Sequence, residues 1–140
     1  MAEAATGKKK ILIVEDEEVI ANICRTVLVN EGFNVDIAVD CRIAQKMINQ
    51  NHYDLCLLDI LIPKMSGRQL YQWLLRKHPQ TAEKVIFCTG LAIEGNIKKF
   101  LEKSGCPLLL KPFSPDELTG IIQEALRWQN GREIDGNTDR

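Results

Sequence analysis

Residues 54–63 read DLCLLDILIP. Leu55, Cys56, Leu57 and Leu58 form a continuous apolar run with no polar alternation, the pattern of a strand covered on both faces. The run ends on a carboxylate, Asp59, and three more apolar residues and Pro63 come after it. An ionised group at the end of a doubly buried strand is costly unless it caps an element or reaches a surface where its charge is used. Which of the two applies depends on the rest of the chain.

Similar short runs recur on both sides: ILIV (11–14), VDIAV (35–39), VIFC (85–88) and LLL (108–110). Segments of helical periodicity separate them. Val19, Ile20, Ile23, Cys24, Val27 and Leu28 fall on one face, and Gly32 ends that helix. Ile43, Ala44, Met47 and Ile48 make a second stripe. Leu70, Trp73 and Leu74 make a third, opened by Ser66 and Gln69 at capping-box spacing. A fourth joins Ile93, Ile97, Phe100 and Leu101, and the last runs from Leu118 through Ile121, Ile122 and Ala125 to Leu126. Ser114 as N-cap, Pro115 at N1 and Glu117 at N3 open that last helix. Strict alternation of five strands and five helices implies an α/β fold, a doubly wound parallel sheet with right-handed crossovers. The common five-stranded order is 2-1-3-4-5, with a ligand crevice at the carboxyl ends of strands 1 and 3. The expected organisation is one domain over 9–128, a disordered segment over 1–8 and a polar, frayed tail over 129–140.

Composition excludes several functions. In 140 residues, 18 Lys and Arg stand against 19 Asp and Glu, a net charge of -1, so no large positive field exists for nucleic acid or an anionic membrane. No apolar stretch is long enough to span a bilayer, and ILIV is too short for the core of a signal peptide, so the expected location is the cytoplasm. The five cysteines, Cys24, Cys41, Cys56, Cys88 and Cys106, are odd in number and form no C-x-x-C pair. They read as reduced thiols, with Cys56 and Cys88 inside apolar runs.

Aligning the strands by the polar residue at the end of each brings the chemistry together. Glu15 and Asp16 come after strand 1, Asp40 after strand 2, Asp59 after strand 3, Thr89 after strand 4 and Lys111 after strand 5. A parallel sheet carries all of these to one edge. Strands 1, 3, 4 and 5 are contiguous in the expected order, so Asp40 falls outside the crevice and reads as the cap of the second helix. Three carboxylates at close range repel unless a cation sits among them, and oxygen donors without His or Cys favour a hard ion such as magnesium. Thr89 and Lys111 offer a hydroxyl and a point charge to an anion, most naturally a phosphoryl group. Neither G-x-x-x-x-G-K-[ST] nor G-x-G-x-x-G occurs, so a bound nucleotide is not expected. Phosphoryl transfer onto an aspartate fits better.

ILIVEDEE, LLDILIPKMSG, FCTG and LLLKPFSPDEL resemble, in order and spacing, the motifs of two-component response-regulator receiver domains, the CheY-like, flavodoxin-like fold. The resemblance covers roughly residues 9 to 128. It implies Asp59 as phosphoacceptor from a histidine kinase or histidine phosphotransfer protein. Glu15 and Asp16 match the acidic pair that holds magnesium, Asp16 directly and Glu15 through water, and Leu61 would add its backbone carbonyl. Thr89 would hydrogen-bond the phosphoryl oxygen, Lys111 would pair with it, and the Lys111–Pro112 peptide would be cis. The output would be an altered interaction with an unidentified downstream protein. The family also allows a homodimer through the face of the fourth helix, fifth strand and fifth helix. Two other classes stay open: a small metal-dependent phosphatase using the same aspartate, and a flavin binder. Against the first, Leu61 stands where a second acid is needed and no residues are spare for a cap; against the second, an acidic crevice repels phosphate.

Two positions depart from the family's pattern. Leu108 stands where many receivers carry Tyr or Phe, so a rotamer switch at that position is not expected. Leu61 and Leu91, two residues beyond Asp59 and Thr89, are apolar and would shield an acyl phosphate from water, giving slow self-dephosphorylation. His52 and His78 read as solvent-exposed, and Trp73 and Trp128 as packing residues.

Overall fold

The computed structural model describes residues 7–60, 66–90 and 95–138, with side chains to Arg127. Five strands form one parallel sheet: β1 (Lys10–Val14), β2 (Asn34–Ala38), β3 (Leu55–Asp59), β4 (Val85–Thr89) and β5 (Leu108–Leu110). Their order is β2-β1-β3-β4-β5, as the alternation of elements predicts. The helices are α1 (Glu18–Asn30), α2 (Cys41–Gln50), α3 (Gly67–Lys77), α4 (Gly95–Ser104) and α5 (Pro115–Thr138). A further single turn, Pro79–Ala82, has no apolar stripe of its own to announce it.

β3 is the centre of the molecule. All five of its residues are buried, and its period of two sends Cys56 and Leu58 into one core and Leu55 and Leu57 into the other. β1 and β4 do the same: Leu12, Val14, Val85 and Phe87 face the α2–α3–α4 side, while Ile11, Ile13, Ile86 and Cys88 face α1 and α5. This double burial is why the runs are continuous rather than alternating. β5 is different because it is the edge: Leu109 is buried, but Leu110 is 54% exposed.

Helix ends obey the expected chemistry. Asp40 accepts a hydrogen bond from the Ile43 N–H at 2.9 Å and so caps α2 rather than entering the crevice. Ser66 and Gln69 form a complete capping box on α3. Ser114 accepts from the Glu117 N–H at 3.1 Å, and Glu117 Oε1 accepts from the Ser114 N–H at 2.8 Å. Gly32, at φ 96°, turns the chain after α1 in a conformation that side-chain-bearing residues avoid.

The buried stripe of α1 is narrower than its apolar pattern. Ala21, Cys24 and Leu28 face the core, whereas Val19 and Ile23 are 71% and 55% exposed. At about 100° per residue Val19 and Ile23 fall on the face of the helix opposite Ala21, Cys24 and Leu28. Ile43 is likewise largely outside the core of α2. His52 is exposed as expected, but His78 is half-buried, its Nε2 2.8 Å from Asn49 Oδ1 and its ring against Trp73. Trp73 packs on the core as expected; the side chain of Trp128 lies outside the described residues. As backbone, α5 continues past residue 128 to Thr138, beyond the end of its apolar stripe. All five cysteines are free. Burial pushes the Cys24 thiol up to about 11 and those of Cys41, Cys56 and Cys88 up to about 12, so these remain inert thiols at neutral pH.

Candidate functional site

The site is assembled by strand ends. β1 delivers Glu15, whose backbone N–H donates to the Ala38 carbonyl at 3.0 Å and so extends the ladder by one residue. Asp16 lies next to it on the loop to α1. β3 delivers Asp59 and β4 delivers Thr89, each the last residue of its strand. The Lys111 N–H donates to the Thr89 carbonyl at 2.9 Å, which holds the segment after β5 against β4. The Lys111–Pro112 peptide is cis, as the resemblance implies.

These placements bring unlike charges into contact below the surface. Glu15, Asp59 and Thr89 are 4%, 6% and 2% exposed, an unusual depth for two carboxylates. The Lys111 ammonium donates to Asp59 Oδ2 at 2.8 Å and lies 2.7 Å from Glu15 Oε1. Glu17 stands farther out, at 3.7 Å from the same nitrogen. The second oxygen of Glu15 accepts from the Glu17 N–H at 3.1 Å, so the loop itself orients the carboxylate.

Carboxylate oxygens of Glu15, Asp16 and Asp59 all lie within 4.8 Å of one another. Like charges at this range repel, and burial magnifies the repulsion; among the described residues Lys111 reaches two of the three carboxylates. Burial dominates at Glu15. Burial, opposed by the Lys111 hydrogen bond and reinforced by nearby Asp59, holds its carboxyl above the usual 4.5. Burial acts to lower the Lys111 pKa, but the hydrogen bonds to Asp59 and Glu15 outweigh it and hold the ammonium above its usual 10.5. A cation with a preference for oxygen would relieve this repulsion. The cluster's donors are carboxylates alone, without His or Cys, and this suits a hard divalent ion such as magnesium.

Of the residues expected from the sequence, Glu15, Asp16, Asp59 and Lys111 are gathered into one cluster, and Thr89 ends the neighbouring strand at the same edge. Leu61 and Leu91 lie outside the described residues. Two participants were not singled out by sequence reasoning. Glu17 supplies a backbone N–H to Glu15 and an outer charge near Lys111, and its only signal was the acidic run EDEE. Gly67 opens α3 directly beneath the site. A Cβ there would stand 2.6 Å from the Asp59 carbonyl oxygen and 2.7 Å from Ile60 Cα, while its N–H donates to the Ile60 carbonyl at 3.0 Å. The close approach of this backbone sets where the end of β3 sits. Glycine beside the Ser66 cap was the available signal, but it reads equally as an ordinary helix start.

A doubly wound parallel sheet with an acidic cluster and a lysine at its switch point defines a class of small α/β domains with a crevice at the carboxyl ends of the central strands. The chain belongs to the response regulator receiver domain family, whose model matches residues 11–123. It is 33% identical over 118 residues to the transcriptional regulatory protein SrrA of Staphylococcus aureus, a match covering 84% of this chain and 48% of that one. It spans between 21% and 56% of the length of the first curated relatives it matches. A CheY-like receiver domain protein from Methanospirillum hungatei JF-1 superposes with a TM-score of 0.82 at 30% identity, over 89% of this chain and 98% of the other. The receiver domain of a signal transduction histidine kinase from Syntrophus aciditrophicus gives 0.75 at 26% identity, over 85% and 90%. Membership makes the chain a two-component signalling module, a switch rather than a conventional enzyme, of a kind that works with histidine kinases and downstream effectors.

Proposed function

We propose that the chain accepts a phosphoryl group on Asp59 from a phosphohistidine donor, with magnesium held by Asp16, Asp59 and the carbonyl of Leu61, and by Glu15 through water. The observation that carries this reading is Lys111 bridging buried Glu15 and Asp59 where three carboxylates converge. An Asp59 carboxylate oxygen attacks phosphorus in line with the scissile P–N bond; the imidazole leaves with the bonding pair and takes a proton from solvent. Magnesium supplies charge neutralisation for the approaching anion. Lys111, already at hydrogen-bonding distance from Asp59, pairs with a phosphoryl oxygen, and the Thr89 hydroxyl donates to another. Burial of Glu15 and Asp59 keeps competing water out of the same volume.

The donor protein has a surface to rest on beside the crevice. Ile20, Ile23, Gly90, Lys111, Pro112 and Phe113 line an apolar groove of ≈ 400 Å³. The five free thiols and the requirement for a phosphohistidine donor support a cytoplasmic location. Among the described residues no helix is long and apolar enough to cross a membrane. The switch is completed by an altered interaction with a downstream protein, and a homodimer through α4, β5 and α5, where Leu110 is exposed, is one form it takes.

Incubation with acetyl phosphate and magnesium, followed by intact mass measurement, tests the reading. One phosphate adduct in the native protein, absent in Asp59→Asn and absent without magnesium, is expected. An adduct that survives Asp59→Asn would rule the assignment out.

A further inference from the structure

Away from the crevice, α3 and α4 run side by side with a gap between them of ≈ 580 Å³. Arg68, Tyr71 and Leu75 line it from α3, and Lys99, Phe100 and Lys103 from α4, spacings that put each set along one side of its helix. The floor is aromatic. Tyr71 and Phe100 meet edge-to-face at 5.7 Å, and each packs against Phe87 of β4, at 5.3 and 5.5 Å. Leu75 adds an apolar side chain that is 51% exposed. The rim is cationic. Arg68, Lys99 and Lys103 are exposed, and among the described residues none of them takes part in an ion pair. The Arg68 guanidinium lies 5.2 Å from the Phe100 ring centre, which holds its charge over the groove.

This distribution is unlike that of the whole chain. Net charge is -1, yet the lining of this groove carries three cations and no carboxylate; Glu102, though on α4, is not part of it. Cations on the rim with aromatic and aliphatic surface below match a ligand that is itself two-faced. We propose that the α3–α4 groove docks an acidic amphipathic segment of a partner protein. Its apolar side chains rest on Tyr71, Leu75 and Phe100, and its carboxylates face Arg68, Lys99 and Lys103. A nucleic acid fits less well. A phosphate backbone calls for a broad positive field, which a chain of this net charge lacks, and it has nothing to bury on the apolar floor. The assignment gives the downstream partner a surface and a chemistry. It does not depend on phosphorylation of Asp59, because neither the rim charges nor the floor include a residue of the crevice.

The test uses the full chain, isotopically labelled for NMR, and a synthetic amphipathic peptide of about 15 residues carrying Glu along one side of a Leu- and Phe-bearing face. Amide shift changes are expected around Tyr71, Leu75, Phe100 and their neighbours. Lys99→Glu with Lys103→Glu is expected to weaken binding by about tenfold or more, and to admit the matched peptide with Lys in place of Glu. Both lysines are exposed, so the variant keeps its fold, which its melting curve verifies; Lys99→Gln with Lys103→Gln serves if it does not. Four results would overturn the proposal: no binding at millimolar peptide, shifts that map instead to the groove at Ile23 and Phe113, equal binding of the Glu and Lys peptides, or preferential binding of short duplex DNA or phosphatidylglycerol vesicles at these residues. An intact-mass result against Asp59 leaves this experiment unaffected, and the reverse holds.

Discussion

Two lysines stand at opposite edges of the sheet, each next to carboxylates, and their surroundings make them different objects. Lys10, at the start of β1, lies 3.5 Å from Asp36 and 5.2 Å from the Tyr53 ring centre. Its side chain and that of Asp36 are 34% and 36% exposed. Asp54 accepts from the Lys10 N–H at 2.8 Å and faces His52, while the Tyr53 hydroxyl donates to Asp36 at 2.7 Å. Lys111, beyond the end of β5, has a side chain only 15% exposed and contacts carboxylates at 5% and 8%. The same residue types therefore form a half-exposed network at one edge and a buried one at the other. Desolvation and the convergence of three carboxylates, not the presence of an ion pair, set the candidate functional edge apart.

The largest break in this comparison comes from Asp59→Asn, which abolishes the phosphate adduct, whereas Asp36→Asn at the opposite edge leaves it intact; mass measurement reads both. Next is the lysine pair itself. Without magnesium, Lys111→Met removes the ammonium that bridges buried Glu15 and Asp59 and is expected to cost about 3–5 kcal/mol of stability in urea unfolding. Lys10→Met is expected to cost less than about 1 kcal/mol. Equal losses would erase the distinction between the edges. Gly67→Ala drives a methyl into the Asp59 carbonyl, at an expected cost of about 1–3 kcal/mol. Gly120→Ala on α5, where nothing lies within 4 Å, should instead stabilise by about 0.5–1 kcal/mol.

The smallest effect is on pH dependence. Burial raises the Glu15 carboxyl above 4.5 in the folded state, so its ionisation favours unfolding. Stability from this group is greatest below 4.5 and declines as pH rises through the raised folded value. Lys111 acts at the other end: its contribution is full below 10.5 and is lost as pH passes its raised folded value. Melting temperatures across the weakly acidic range should fall for the native protein and stay nearly flat for Glu15→Gln. Magnesium should reduce the difference, and a steeper fall in the variant would contradict this account of Glu15.

Much of the architecture was legible because local patterns and global fold agree. Continuous runs such as Leu55–Leu58 belong to strands covered on both faces, and the caps at Asp40, Ser66 and Ser114 sit where their side chains can reach the helix N–H groups. The site was legible through topology, since strand order alone brings Glu15, Asp16, Asp59 and Lys111 to one edge. Details set by distances between elements were not. Exposure of Val19 and Ile23 follows from which face of α1 the sheet covers, and exposure of Leu110 from β5 being an edge. The contact of His78 with Asn49 depends on where α2 ends relative to α3. The role of Gly67 needs the position of a carbonyl eight residues earlier in the chain, which no local pattern records.

The central claim is that the carboxylate closing β3 is the group that takes the phosphate, and locating the phosphate tests it most directly. After treatment with acetyl phosphate and magnesium, borohydride reduces an acyl phosphate to the alcohol, and peptide sequencing by mass spectrometry finds the residue so marked. The account predicts homoserine at position 59 alone. A reduced side chain at Glu17, Asp36 or any other acidic position in place of 59, or phosphate resistant to borohydride, would contradict it.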